Sequence, residues 1–381
     1  MGNLSIGIVL PYLKSRGTEN QALRLTKGFV ERGAKVIVFV VQGWGQETMY
    51  QAFSEAGAQV VDVGPPLDEG KKKVRNSRVF ALAHKVKNYD CDVLLSRAGM
   101  TNRVAGYAGM LSHTAVVTVV SGGVKKPKSR PWLITQFHTL CTAFLYGFPR
   151  KIVCVSKEGA HNMSVAHPRL AKRIIGIHNG VDLPTREGLM PASVQLDSSR
   201  FWICAAGSLE LKRKGFDVLI HAMEKLVHHH QIKNVSLVLI GTGQDEQAIR
   251  ELIHKKDLEQ VVLFAGEQSN PRGIMCQCQA FALPSRREGL PNVLLEAMSV
   301  GVCSVAADCD TGPREVLTHQ HDGLLTTVGD IEETTAALLR IIKDNDLRTK
   351  LGNNGKLKVM RQFSNETMLD RYYDLLSSLA S

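Results

Sequence analysis

Short, continuously apolar runs alternate with longer amphipathic stretches along the whole chain. Ser5–Leu10 is followed by a loop to Gly17, an amphipathic stretch of helical period near Glu19–Arg32, and a second apolar run at Lys35–Val41, which predicts a strand, helix, strand unit. Ala58–Val63, Val93–Ser96, Ala115–Val120 and Lys151–Val155 continue the series. Runs that are apolar throughout, instead of alternating with polar positions, mark parallel strands covered on both faces. From Asn179 to Arg200 the rhythm breaks: Gly180, Pro184, Gly188 and Pro191 stand among polar residues, as in an interdomain linker. It restarts with strands expected at Phe201–Ala206, Ser236–Ile240, Val261–Ala265, Ala280–Leu283 and Val302–Ala306. The reading is therefore α/β: two Rossmann-like, doubly wound domains at 1–182 and 201–360, a linker at 183–200, and a terminal helical segment at 361–381. Two open α/β sheets of this kind are expected to face across a cleft, with ligands beyond the C-terminal ends of the strands.

Length agrees, since 381 residues exceed one ordinary core and suit two. A composition of 44% hydrophobic and 22% charged residues is that of a packed globular protein. Met1-Gly2-Asn3-Leu4 leads directly into an apolar strand without the basic region or cleavage site of a secretory signal, so a cytoplasmic protein is expected, and Ile6 does not suit a myristoylation signal. Pro131–Pro149 lacks Lys, Arg, Asp and Glu, but Gln136, His138 and several threonines make it unfit to span a bilayer; an amphipathic helix and a segment dipping into a membrane surface both remain open. The eight cysteines are scattered without a recurring CxxC pair, and they read as small buried hydrophobes rather than disulfide partners or zinc ligands.

A net charge of +11 changes the picture by favouring a polyanionic partner. The clusters Lys71-Lys72-Lys73-Val74-Arg75 and Lys125-Lys126-Pro127-Lys128-Ser129-Arg130 both fall in the first half, where an anionic membrane surface or plain solvated loops would account for them. Nucleic acid is disfavoured, because no aromatic residues interleave the first cluster.

The densest chemistry lies in the run from Pro284 to Met298, a strand end, a glycine-bearing turn and a helix. Glu288 is placed in the turn and Glu296 about two turns into the helix, while the N–H groups of a helix start favour an anion such as a diphosphate. Read structurally, Glu288 is an exposed loop acid and Glu296 a buried, paired one; read functionally, both face a ligand.

This run resembles the EX7E motif of the retaining glycosyltransferases of glycosyltransferase family four, whose fold is GT-B. Further pieces in matching order are Gly207-Ser208, Lys214-Gly215-Phe216-Asp217, Leu239 to Gly243, Phe264-Ala265-Gly266, Gly312 to Glu315 and Asp322 to Leu325, with Val155-Ser156 and Asn179 to Asp182 in the first half. The resemblance implies that Glu296 accepts hydrogen bonds from the donor ribose, that Glu288 holds hydroxyls of the donor sugar, and that Gly289 and Leu290 offer main-chain amides. Lys214 would neutralise the diphosphate leaving group, so Glu288 and Lys214 are the expected catalytic pair. Gly207, Ser208, Arg213, Gly241, Gln268 and Asn292 complete the expected donor site, and Gly17, Ser121 and Gly122 the acceptor side. The resemblance further implies a UDP-sugar donor, ahead of a GDP-sugar, carrying a hexose or N-acetylhexosamine to a glycan or lipid-linked acceptor for surface polysaccharide. It implies work without a bound metal or other cofactor, in the cytoplasm or at the inner face of the cytoplasmic membrane, and a terminal helix that packs back on the first domain.

Three positions depart from the family pattern. Ser208 stands where an arginine usually partners the lysine, so either Arg213 or another base supplies the second charge or the phosphate is held more weakly. Arg16-Gly17 replaces a glycine pair, and Ser121-Gly122-Gly123 occupies a loop that often carries a histidine. A nucleotide-sugar epimerase of the same fold and a basic nucleic-acid-binding protein are the competing readings.

Overall fold

A computed structural model describes residues 4–14, 17–43, 45–65, 77–97, 99–122, 149–183 and 194–380. Both basic clusters, Arg16 and nearly all of Pro131–Pro149 lie outside the described residues. The chain divides into two compact units, residues 1–180 with 365–381, and residues 181–364. The sequence reading had set these boundaries at 182 and 360. The second falls later because the helix Asn345–Gln362 packs within the 181–364 unit: a Cβ at Gly352 would lie 2.3 Å from the Gly301 carbonyl oxygen.

The first unit is a seven-stranded sheet in the order β3-β2-β1-β4-β5-β6-β7 with every pairing parallel. Its strands are β1 (Ser5–Leu10), β2 (Lys35–Val40), β3 (Gln59–Asp62), β4 (Val93–Arg97), β5 (Ala115–Val120), β6 (Lys151–Cys154) and β7 (Ile174–Gly176). All six residues of β1 are buried, as an apolar strand with helices on both faces requires. The helices Ser77–Asn88 and Gly99–Ser112 pack side by side, with Leu82, Val86, Val104, Ala105 and Ala108 closing over Ile37, Phe39 and Leu94. The terminal helix Asn365–Ala380 buries Met368, Tyr372 and Leu376 and lies tightly on the helix Gly17–Glu31. A Cβ at Gly28 would come within 2.2 Å of the Leu369 side chain, so a larger residue there would require Leu369 to shift. Arg32 pairs with Asp370 at the same contact, and the buried Arg97 guanidinium lies 5.9 Å from the Tyr372 ring centroid.

The second unit repeats the plan in six parallel strands, ordered β10-β9-β8-β11-β12-β13. They are β8 (Phe201–Ala206), β9 (Val235–Ile240), β10 (Val262–Gly266), β11 (Ala280–Leu283), β12 (Cys303–Ala307) and β13 (Leu324–Thr326). Strands β7 and β13, three residues each, were not foreseen; runs that short carry no period to read. Ile203, Leu237, Leu239, Ala282 and Val305 pack under Leu219, Ile220, Met223, Leu338 and Ile341. The chain steps outward from β8 through β9 to β10, then returns to the other side of β8 with β11. The loops after β8 and β11 therefore leave neighbouring strands toward opposite sides, the arrangement that opens a crevice at the sheet's C-terminal edge. No helix among the described residues is long and apolar enough to cross a membrane.

Candidate functional site

The expected donor residues all lie in the second unit, in segments that follow strand C-termini. Gly207 and Ser208 follow β8, Gly241 follows β9, Gln268 follows β10, and Glu288 to Asn292 follow β11. Backbone constraints set this edge. Gly241 holds φ +129°, and a Cβ there would meet the Gly207 carbonyl oxygen at 2.2 Å; its N–H donates to the Gly266 carbonyl at 2.7 Å. This one bond and that close backbone approach bring the three loops together.

Lys214 reaches the site through the single helical turn Leu211–Lys214, which stops at Gly215 in the left-handed region, φ +66°. A Cβ at Gly215 would lie 2.2 Å from the Pro284 carbonyl oxygen, so the turn rests directly on the end of β11. Arg286 fastens it: its N–H donates to the Arg213 carbonyl at 2.8 Å and its Nη1 to the Leu211 carbonyl at 2.9 Å. The Arg286 guanidinium also forks onto Asp217 at 2.8 and 2.6 Å. Burial alone would push the Asp217 carboxyl up, but those charge-assisted bonds outweigh it and hold it below its ordinary value.

The result is that Lys214 Nζ donates to Glu288 Oε1 at 2.6 Å, with side-chain exposures of only 10% and 8%. Lys212 is exposed, so of the consecutive bases it is Lys214 that turns inward. Glu288 is correspondingly buried, not the exposed loop acid of the structural alternative. Its backbone is locked from the next loop, where Thr311 Oγ1 donates to the Glu288 carbonyl and Gly312 holds φ +95°, a position at which an added Cβ would lie 2.5 Å from the Gly289 oxygen. Burial, and then the Glu288 charge, pushes the neighbouring Cys309 thiol up to about 11, so it is an inert thiol at neutral pH.

Glu296 sits five residues into the helix Asn292–Ser299, just over one turn and not two, because the helix starts only after Pro291. It is half-buried, not the buried acid of the structural alternative. Gly289 and Leu290 are buried in the turn, and Asn292 opens the helix, which has no side-chain cap at Pro291. Gln268 bends back to donate its amide to the Ala265 carbonyl.

Ser208 and Arg213 meet. Arg213 Nη2 donates to Ser208 Oγ at 2.7 Å, so a guanidinium does stand beside position 208. It is also held by Glu210, with Nε on Oε2 and Nη2 on Oε1, each 3.0 Å. Hydrogen bonding from Arg213 takes the Glu210 carboxyl from 4.5 down to about 2, and the same bond raises Arg213. Glu210, Asp217, Arg286 and Thr311 had no assigned role from sequence; only the fold brings Asp217 and Arg286 together across 69 residues.

The expected acceptor residues lie in the first unit. Gly17 opens the helix after β1, and Ser121 and Gly122 follow β5; all three are exposed, and a Cβ at Gly122 would meet nothing within 4 Å.

No Asp-x-Asp motif was expected, yet the spacing occurs three times, at Asp90/Asp92, Asp308/Asp310 and Asp344/Asp346, and one aspartate of each is held structurally. Asp92 accepts the Ser5 N–H at 2.7 Å, Asp308 is forked by Arg314 at 2.8 and 2.7 Å, and Asp344 caps a helix through the Leu347 N–H at 2.8 Å. Among the described residues no group of three His, Cys, Asp or Glu side chains could hold a metal ion.

Comparison with known proteins matches these features to families. The model for glycosyl transferases group 1 matches residues 190–358, and that for glycosyltransferase family 4 matches residues 15–184. A lipopolysaccharide core biosynthesis glycosyltransferase of Rhizobium meliloti is 32% identical over 184 residues, 48% of this chain and 51% of that protein. A lipopolysaccharide 1,6-galactosyltransferase of Salmonella typhimurium is 32% identical over 144 residues, 37% of each chain. The chain thus spans about half or less of the length of the curated relatives it matches. The crystal structure of Anabaena HepE in complex with UDP and glucose superposes with TM-score 0.79 at 20% identity, covering 99% of this chain and 100% of that one. Sucrose-phosphate synthase of Thermosynechococcus elongatus superposes with TM-score 0.77 at 18% identity, covering 99% of both. The two parallel-sheet units are those of a GT-B fold, and with family models matching both halves the chain belongs to the glycosyltransferases of family four.

Proposed function

We propose that this chain is a retaining glycosyltransferase that moves a hexose or N-acetylhexosamine from a UDP-sugar to a glycan or lipid-linked acceptor in surface glycan biosynthesis. The observation that carries the reading is the buried Lys214–Glu288 pair at the sheet edge where the β8 and β11 loops diverge. A buried ammonium beside glycine backbone is suited to a diphosphate, because charge attraction strengthens where water is excluded. The names of the relatives, which make lipopolysaccharide, and the UDP and UDP-glucose complexes of the Anabaena neighbour support the donor and the pathway class.

In this reading the bond between the sugar anomeric carbon and the β-phosphate oxygen breaks, and its electron pair passes to the diphosphate. Lys214 stabilises that growing charge, so no divalent cation is required, and Arg213 beside Ser208 supplies the second positive group. The acceptor hydroxyl attacks from the leaving-group side, its oxygen bonding to the anomeric carbon while its proton goes to the departing phosphate. That path retains configuration. Glu288 holds sugar hydroxyls and Glu296 the ribose, while Gly17, Ser121 and Gly122 serve the acceptor.

Thermal unfolding with UDP, GDP, ADP and their sugars, on the parent and on Glu296→Ala, tests the assignment. Stabilisation by the uridine series alone, lost in the variant, is expected, since a ligand bound only by the folded state raises the melting temperature. Stabilisation by none of them would remove the donor assignment.

A further inference from the structure

The excess positive charge is not spread over the molecule. Residues 1–180 and 365–381 carry 26 Lys and Arg against 13 Asp and Glu, whereas residues 181–364 carry 21 against 23. Within the first unit the imbalance is sharpest from Val93 to Lys157, a stretch with no Asp or Glu at all.

Two helices, Ser77–Asn88 and Gly99–Ser112, form one outer layer of that unit, and neither contains an acidic residue. Their inner faces are spent on the core, and what they turn outward is unusual. Phe80, His84 and Lys87, at helical spacing on the first, are exposed; so are Arg103, Met110 and Leu111 on the second. Phe80 is 65% exposed, Met110 52% and Leu111 44%, three of the seven large exposed hydrophobic side chains among the described residues. The nearest acids in sequence, Asp90 and Asp92, lie past the end of the first helix, and Asp92 is held by the Ser5 N–H.

We infer that this two-helix layer is the surface by which the protein docks on an anionic lipid bilayer. Cations attract the negative headgroups, and neither helix carries a carboxylate to oppose them. Phe80, Met110 and Leu111 supply apolar bulk that gains by entering the interface between headgroup and acyl chain. Bases stack on aromatic planes, and of these three side chains only Phe80 offers one, so lipid is favoured over nucleic acid for this face. The docking surface rests on the charge and exposure of these helices and stands independently of the donor assignment.

The test is sedimentation of the full chain with vesicles of phosphatidylcholine alone and of phosphatidylcholine with phosphatidylglycerol. It compares the parent, Phe80→Ser/Met110→Ser/Leu111→Ser, and Lys87→Glu/Arg103→Glu. The parent is expected to bind only the anionic vesicles and to be released by high salt, which screens surface charge. Each variant is expected to bind at least tenfold more weakly while keeping the parent melting temperature and its response to UDP, since the altered side chains are exposed. Parent-like binding by either variant, equal binding to neutral vesicles, or binding to a polyuridine RNA in place of vesicles would overturn the proposal. Loss of the UDP response with vesicle binding intact would instead count against the donor assignment alone.

Discussion

The Lys214 ammonium and the Glu288 carboxylate, 74 residues apart in sequence, are bonded at 2.6 Å where neither is appreciably open to solvent. Breaking such a pair from one side leaves an uncompensated buried charge, which costs about 3–5 kcal/mol. Lys214→Met should therefore lower the urea unfolding free energy by about that amount. Lys214→Met combined with Glu288→Gln should recover most of the loss, because no net charge remains to be buried. Equal destabilisation by the single and double variants would show that the pair is not the origin of the cost.

The Glu210–Arg213 pair gives a pH signature. Folding depresses the Glu210 carboxyl from 4.5 to about 2, chiefly through the Arg213 hydrogen bond. A carboxyl lowered on folding contributes stability that is present above its unfolded value and lost as the pH falls through its folded one. The melting temperature of the parent should thus fall between pH 4.5 and 2 more steeply than that of Glu210→Gln, with the two curves parallel above pH 5. Because both side chains are more than a third exposed, the difference is expected to be small and to shrink in high salt.

Gly241→Ala places a Cβ 2.2 Å from the Gly207 carbonyl oxygen at a φ of +129° that an alanine adopts only under strain. A loss of about 2 kcal/mol or more is expected by denaturant titration. Gly122→Ala, where the added carbon meets nothing within 4 Å, should change stability by less than about 0.5 kcal/mol.

Removing residues 365–381 strips Met368, Tyr372 and Leu376 from the first unit, where each is almost wholly buried. Calorimetry should show a lowered transition for that unit, while the transition of residues 181–364 keeps its midpoint. A uniform drop of both would mean that the terminal helix supports more than the unit it packs on.

Most of the architecture was legible in the sequence because buried parallel strands announce themselves as unbroken apolar runs: β1, β5, β8 and β11 were read to the residue. The three-residue β7 and β13 were not, having no period of their own. At the candidate site the acids and the lysine stood out from spacing and resemblance. Their support did not, for two reasons. Arg286 and Asp217 look like ordinary surface charges until the fold brings them together, and Thr311 acts through a backbone carbonyl that no side-chain pattern reports. Arg213 was weighed as a second charge, but its tether to Glu210, three residues away, depends on a single local turn, which sequence alone could not distinguish from a solvated loop.

The tight seating of Leu369 over Gly28 has a consequence for how the chain is made. Residues 181–364 are contiguous and can complete their core as soon as they emerge from the ribosome, since domains generally fold as units in order of synthesis. The unit that begins first cannot. Its sheet is translated before those residues, yet the helix that covers Phe29 and Arg97 emerges only after them, so the unit whose sheet starts earlier completes its core later.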